Sequence, residues 1–308
     1  MSSSDVDTQH TDVIHDTQFD YYGRFMATAS SDKTVKVFGA GNENNGAHLA
    51  TLTGHEGPVW MVDWAHPSFG VALASCSYDG QAIVWKGTDE GTTWKPSHII
   101  SNHAASVNAI SFAPQHFGLA VATAGSDGHV FVSTCPEGIW RESVSIAEAA
   151  KQGNDAHALG AMAVSWAPMP GPDAPVLIAS GGADNKVKLW SHDLQSGAWT
   201  LVKSFEGHAD WVRDVAFSPD ASSRFIVLAS CSQDKTVVIR RAERANPTVW
   251  EESSPVTFSD TVWRLSWSPC GSMLLVTSGD AQAFVLKQRA SFGDEWIRST
   301  VGAEDVKQ

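Results

Sequence analysis

The sequence predicts an all-β propeller of six four-stranded blades, on three observations. A short apolar segment ending in a small-residue turn and an Asp recurs six times, as MATASSDKTVKVF, LASCSYDGQAIVW, VATAGSDGHVFVS, IASGGADNKVKLW, LASCSQDKTVVIR and LVTSGDAQAFVLK. The aspartates, Asp32, Asp79, Asp127, Asp184, Asp234 and Asp280, are separated by 47, 48, 57, 50 and 46 residues, the spacing of four-stranded blades. A second set of residues keeps fixed register with them in five of the six units.

That register begins with an aromatic that ends each first strand: Phe19, Trp64, Phe112, Trp166, Phe217 and Trp267. Nine residues before it stand His10, His55, His103, His157 and His208, and in the last unit Phe258. Four residues before each Asp stand Thr28, Ser75, Thr123, Ser180 and Ser230, and in the last unit Val276. Six residues after the Asp come Phe38, Trp85, Ser133, Trp190, Arg240 and Leu286, so a Trp occupies that place only twice. Converging His, hydroxyl and Asp side chains satisfy one another in a half-buried sheet, and an indole N–H adds a donor where present.

The fourth strand of each unit starts at a further Trp after a polar loop: Trp94, Trp140, Trp199, Trp250 and Trp296, with AHLATLT (47–53) standing in for it in the first unit. These positions account for much of the excess of 13 Trp over 3 Tyr. The spacing varies in polar or Pro/Gly-rich stretches such as PMPGPDAP (168–175), which read as loops.

Composition sets the remaining bounds. The 308 residues are 43% hydrophobic and 18% charged, with net charge −13, which argues against direct nucleic-acid binding. The polar start MSSSDVDTQHTD does not read as a signal peptide, and no apolar run approaches the ~20 residues that cross a bilayer. The expectation is a soluble protein that meets membranes only through partners. Cys76, Cys135, Cys231 and Cys270 lack metal spacing and read as buried free thiols. The register histidines fall one to a unit in five units and the other seven of the 12 show no ligand spacing, so they are not expected to gather on one metal ion, and no cofactor is expected. Six equivalent aspartates read as structural, since a catalytic acid is needed once. No phosphate loop or nucleophile motif appears, so no enzyme is expected.

The domain organisation follows: a short polar segment over 1–10, one propeller over 11–301 and a tail over 302–308. Each blade is made of contiguous chain, with nothing left over to build a blade shared by the two termini. The ring is therefore expected to stay open, and exposed strands are templates for addition from another chain. Phe19, Trp263, Trp267 and Phe284 are the candidate residues for receiving a partner's blade.

With these residues in place, the sequence resembles the WD-repeat family. The GH dipeptide that opens its repeats occurs as Gly54-His55 and Gly207-His208, although the WD dipeptide is absent. The stretches HDTQFDYYGRFMATASSDKTVKVF, GHEGPVWMVDWAHPSFGVALASCSYDG, EGHADWVRDVAFSP and TVWRLSWSPCG resemble, more narrowly, the small propeller subunit of the COPII outer coat, a family shared with the Y-shaped scaffold of the nuclear pore. The resemblance runs from about His10 to Trp296. It implies a non-catalytic scaffold that accepts a seventh blade from a larger partner. That partner is the helical-solenoid subunit in the vesicle coat and a scaffold nucleoporin in the pore. It also implies a location on the cytoplasmic face of the endoplasmic reticulum and at the nuclear envelope. The alternatives are a closed WD-repeat adaptor, such as a ubiquitin-ligase substrate receptor, or the nuclear-pore paralogue.

Overall fold

The structure is a computed structural model and describes residues 6–41, 46–88, 91–153, 155–288 and 296–301; the expected tail over 302–308 lies outside them. The fold class is an all-β, six-bladed propeller, each blade an antiparallel meander of consecutive strands. The chain divides into two compact units, residues 1–146 and 147–308, each holding three blades.

In the first unit, blade one is Ile14–Phe19, Phe25–Ser30, Thr34–Gly39 and His48–Thr53. Blade two is Val59–Trp64, Ala72–Ser77, Ala82–Gly87 and Trp94–Ile100. Blade three is Val107–Phe112, Ala120–Gly125, Val130–Thr134 and a two-residue outer strand, Val144–Ser145. In the second unit, blade four is Ala161–Trp166, Val176–Gly182, Val187–His192 and Trp199–Phe205. Blade five is Val212–Phe217, Phe225–Ser232, Thr236–Glu243 and Asn246–Glu252, with Val256–Thr257 pairing on the third strand. Blade six is Val262–Trp267, Met273–Ser278, Ala283–Lys287 and Ile297–Thr300. Every sheet is contiguous in sequence; among the described residues none mixes strands from the two chain ends.

Two local devices recur in all six blades. The register slips at the start of each first strand, at His15, Trp60, Asn108, Met162, Arg213 and Trp263. Such a bulge re-aims the side chain of the extra residue. The second device is the turn after the second strand, where the residue following the Asp is left-handed: Lys33, Gly80, Gly128, Asn185, Lys235 and Ala281. The Asp carboxylate makes this turn by accepting the amide N–H two residues on, at 2.9 Å from Gln81 and from Thr236.

Blades stack face to face inside each unit. Ala27, Ala29, Val35 and Val37 of blade one pack on Val59, Val62, Leu73 and Ile83 of blade two. In the second unit, Cys231, Val237 and Ile239 of blade five pack on Phe258, Val262, Leu274, Val276 and Phe284 of blade six. A strand covered on both faces reads as a continuous apolar run, and ALASCS, AVATAG and VLIASGG are buried at every position.

The outer-strand tryptophans fill the ends of these sheets. Trp64 meets Trp94 edge-on at 5.9 Å, and Trp166–Trp199 and Trp267–Trp296 do so at 6.4 Å. Three of the sequence-based expectations need correction. Trp250 does not open its strand, since it is the fifth residue of Asn246–Glu252. Trp140 does not open a strand, because Pro136–Gly138 turns as a 3-10 segment and leaves only Val144–Ser145 paired. Cys76, Cys135 and Cys231 are buried free thiols, but Cys270 sits in an exposed turn.

Candidate functional site

Two sets of residues carry functional weight: the polar pins inside the blades and the faces of the terminal blades. In each of the first five blades, one His bridges the Asp and the hydroxyl. His55 Nδ1 lies 3.0 Å from Asp79 and its Nε2 2.8 Å from Ser75 Oγ. The corresponding distances are 2.7 and 2.7 Å for His10 with Asp32 and Thr28, and 3.0 and 2.9 Å for His103 with Asp127 and Thr123. They are 2.8 and 2.8 Å for His157 with Asp184 and Ser180, and 3.0 and 2.9 Å for His208 with Asp234 and Ser230.

The donors run in one direction through the pin. The Trp85 indole N–H donates to Ser75 Oγ at 2.8 Å, as Trp190 does to Ser180 at 2.9 Å. The hydroxyl then has its own proton for Nε2, which leaves Nδ1–H to donate to the carboxylate. The same carboxylate accepts the amide after the His, Glu56 N–H at 2.8 Å in blade two. Burial pushes the Asp79 carboxyl up, but the His55 side chain and the Glu56 and Gln81 amides more than offset it and hold it at about 2. Asp32 is held at about 2 in the same manner, against burial, by Thr34, His10 and two amides.

Sequence reasoning missed one member of this set. Arg240, nearly inaccessible, takes the place of the Trp in blade five and donates from Nη1 to Ser230 Oγ at 2.9 Å. Its Nε donates to Glu252 at 2.7 Å, and its guanidinium lies over the Phe205 ring. Blade six has no such pin. Phe258 lies 5.2 Å from Phe284, with the Arg298 guanidinium over both rings, and Asp280 instead accepts the Ser259 and Ser278 hydroxyls.

Each pin ties the segment leading into the first strand of its blade to the second strand and the turn after it. Among the described residues no three His, Cys, Asp or Glu side chains gather in metal-holding geometry. No helix among the described residues is long and apolar enough to cross a membrane; the α-helix Ile146–Ala149 has four residues.

The terminal blades differ from the rest. Phe19 is 61% exposed, on the face of blade one turned away from blade two. The second strand of blade six, MLLVTS, alternates between exposed and covered where its counterparts in blades two and four are wholly buried. Met273 (42% exposed), Leu275 (38%) and Ile297 (43%) form an open apolar face with the half-buried Val285. Cross-strand register places Leu275 opposite Val285, and Met273 and Ile297 both opposite Lys287.

This corrects the expected receiving residues on blade six. Phe284 is 6% exposed and packs toward blade five, because its strand turns that parity onto Phe258 and Ile239. Trp267 is half-buried, its indole donating to the Ala216 carbonyl of blade five at 3.0 Å. Trp263 is exposed, yet it lies over the Arg213 guanidinium of blade five and not on the open face. Met273 and Leu275 were detectable because their strand is apolar at both parities, with Leu274 and Val276 on the other, a pattern that asks for cover on two sides.

The class that these blades and pins define is the WD-repeat propeller. The family model described as "WD domain, G-beta repeat" matches residues 3–39, 46–86, 94–132, 155–191 and 199–240. The matches 46–86, 94–132 and 199–240 each begin before or at the outer strand of one blade and run into the third strand of the next, whereas 155–191 begins after the outer strand of blade three; all stop before the blade that lacks the pin.

Among curated proteins, the chain is 40% identical over 296 residues to "Protein transport protein sec13" of Emericella nidulans, covering 91% of this chain and 92% of the relative. It is 41% identical over 308 residues to "Protein SEC13 homolog" of Drosophila melanogaster, covering 96% and 82%. It is 37% identical over 341 residues to "Protein transport protein SEC13" of Mycosarcoma maydis, covering 92% and 91%. The chain belongs to this sec13 family of WD-repeat protein transport proteins.

Proposed function

We propose that this chain is a non-catalytic scaffold subunit of the COPII vesicle coat in endoplasmic reticulum-to-Golgi transport, and of the nuclear pore scaffold. On this reading a larger partner supplies β-strands that pack on the terminal blades as a further blade. The partner is the helical-solenoid outer-coat subunit on the vesicle and a scaffold nucleoporin in the pore. The chain reaches membranes only through such partners, on the endoplasmic reticulum and at the nuclear envelope.

One observation carries the reading: blade six presents an open apolar face, Met273, Leu275, Val285 and Ile297, in a family whose relatives are named for protein transport. Contiguous apolar surface of this kind on a stable sheet marks an interaction site. Affinity purification of the chain from its own cells, with identification of what co-elutes in stoichiometric amount, tests the proposal. A large helical-solenoid subunit is expected. Recovery of the chain alone, or only with ubiquitin-ligase components, would overturn it.

A further inference from the structure

Wherever two blades meet inside a unit, one side chain of an inner strand accepts a backbone N–H from the inner strand of the next blade. Asp16 Oδ2 accepts Val62 N–H at 3.0 Å and Asp63 Oδ2 accepts Phe112 N–H at 2.6 Å in the first unit. Ser165 Oγ accepts Phe217 N–H at 3.2 Å and Asp214 Oδ2 accepts Leu265 N–H at 2.9 Å in the second. The acceptor stands at the third or fifth position of the six-residue strand. From the third position it takes the N–H of the next strand's fourth residue, and from the fifth that of its sixth residue, the terminal aromatic.

Blade six has the same strand, Val262–Trp267, with Arg264 at the third position and Ser266 at the fifth. An Arg cannot accept, so only Ser266 retains the acceptor chemistry, in the place that Ser165 occupies in blade four. The Ser266 side chain is exposed, and its hydroxyl has no hydrogen-bond partner among the described residues. On the two strands beside it, Leu275 pairs with Ser266 and with Val285. The hydroxyl therefore stands at the inner margin of the open apolar face.

We propose that Ser266 Oγ is the register point for a β-strand brought by another chain. That strand donates the backbone N–H of an aromatic residue to Ser266, and the blade it opens lays apolar side chains on Met273, Leu275 and Ile297. The proposal rests on the reading that the terminal blades receive partner strands, and adds the chemistry by which one register is chosen. Apolar cover alone leaves a strand free to slip by two residues; a single fixed acceptor removes that freedom.

A fused blade tests both levels separately. The probe is a copy of residues 103–145, which carries Ser111 and Phe112 at the fifth and sixth positions of its first strand, joined by a flexible linker after residue 308. Linkage supplies the effective concentration that a weak blade would otherwise lack. The fused chain is expected to melt several degrees higher than the unfused one and to protect the Met273–Ser278 amides from exchange. Ser266→Ala should remove about 2–4 °C of that gain, while shifting the unfused chain by less than ~1 °C. Ser266→Asp, the acceptor used at Asp63, should retain the gain. A gain that is full in Ser266→Ala would overturn the register role of Ser266 and leave partner-strand docking standing. No gain and no protection in the fused chain would overturn the docking reading itself.

Discussion

Arg240 does for Ser230 what an indole does elsewhere: its Nη1 reaches the Ser230 hydroxyl at 2.9 Å, matching Trp85 on Ser75 and Trp190 on Ser180. The chemistry that the blade requires is a rigid donor within the third strand, and both a planar guanidinium and an indole supply it. Burial pulls the Arg240 guanidinium down from its ordinary value, against the pull of Glu252, so the charge is costly to house. Arg240→Leu should destabilise the chain by about 2–3 kcal/mol, since Ser230 loses a charge-assisted donor in a dry site. Arg240→Trp should recover most of that, because the exposed end of Glu252 can turn to water. Chemical denaturation of the two variants separates donor from charge: equal losses would contradict this account.

The pins are expected to be worth more than the turns they also make. Asp79 holds both His55 and the turn amide of Gln81, whereas Asp280 holds only two serines and its own turn in blade six. Asp79→Ala should cost about 3–5 kcal/mol by stranding a buried His and hydroxyl. Asp280→Ala should cost less than ~1 kcal/mol, because its site is open to solvent. Thermal unfolding of both variants decides it; similar losses would mean that the turn, and not the pin, carries the energy.

Two carboxyls should respond to pH in opposite senses. Asp79 titrates at about 2 in the fold, against 3.8 for the unperturbed group, so its contribution is complete above the unfolded value and is lost as pH falls through about 2. Burial drives Asp63 up to about 7 against the pull of the Phe112 and Trp64 amides and with a push from Asp16. Its protonated form is favoured by the fold, so that contribution is present below 3.8 and is lost as pH rises through about 7. The stability difference between wild type and Asp79→Asn should stay flat above about pH 4 and shrink below it. The same difference for Asp63→Asn should move between about pH 4 and pH 7. Melting curves across pH 2–8 read both, and a common midpoint for the two differences would contradict the assignment.

Much of this was legible in the sequence because the pins need fixed register. His55, Ser75 and Asp79 stand in the order and spacing that the hairpins require, and the aromatic from Phe19 to Trp267 does end each first strand. Arg240 was not legible as a pin member, since a cation at the end of a strand reads as a solvated residue until its burial is known. The orientation of Phe284 and Trp267 was also hidden. Blade six is apolar at both parities in MLLV, so alternation could not tell which face meets blade five. The left-handed turn residues Lys33, Lys235 and Ala281 gave no Gly signal, because the Asp carboxylate before each one closes the turn.

Metal should leave the protein unmoved. His10, His55, His103, His157 and His208 each spend both ring nitrogens on the pin of their own blade. A metal would have to break two hydrogen bonds to gain one ligand. Micromolar zinc should not raise the melting temperature, nor a chelator lower it; a reproducible shift of more than ~2 °C with either would show a bound ion.

The open face of blade six yields the last prediction, which turns on parity. Leu274 and Leu275 are neighbours in one strand, but the first is fully covered by blade five and the second is 38% exposed. A carboxylate at 274 would be buried without a partner, so Leu274→Asp should unfold the unit, by more than ~4 kcal/mol. At 275 the carboxylate reaches water, so Leu275→Asp should change the free chain by less than ~1 kcal/mol. With a partner strand in place, position 275 lies under apolar cover, and the same carboxylate should then weaken assembly by at least ~10-fold. Phe19→Asp, on the exposed face of blade one, should behave like Leu275→Asp in the free chain. Hydrogen exchange adds the map: amides of Met273–Ser278 and Ile297–Thr300 should gain protection when the large subunit proposed as partner is co-expressed, and lose that gain in Leu275→Asp. A Leu275→Asp chain that binds the subunit as tightly as wild type would place the docking surface elsewhere on the propeller.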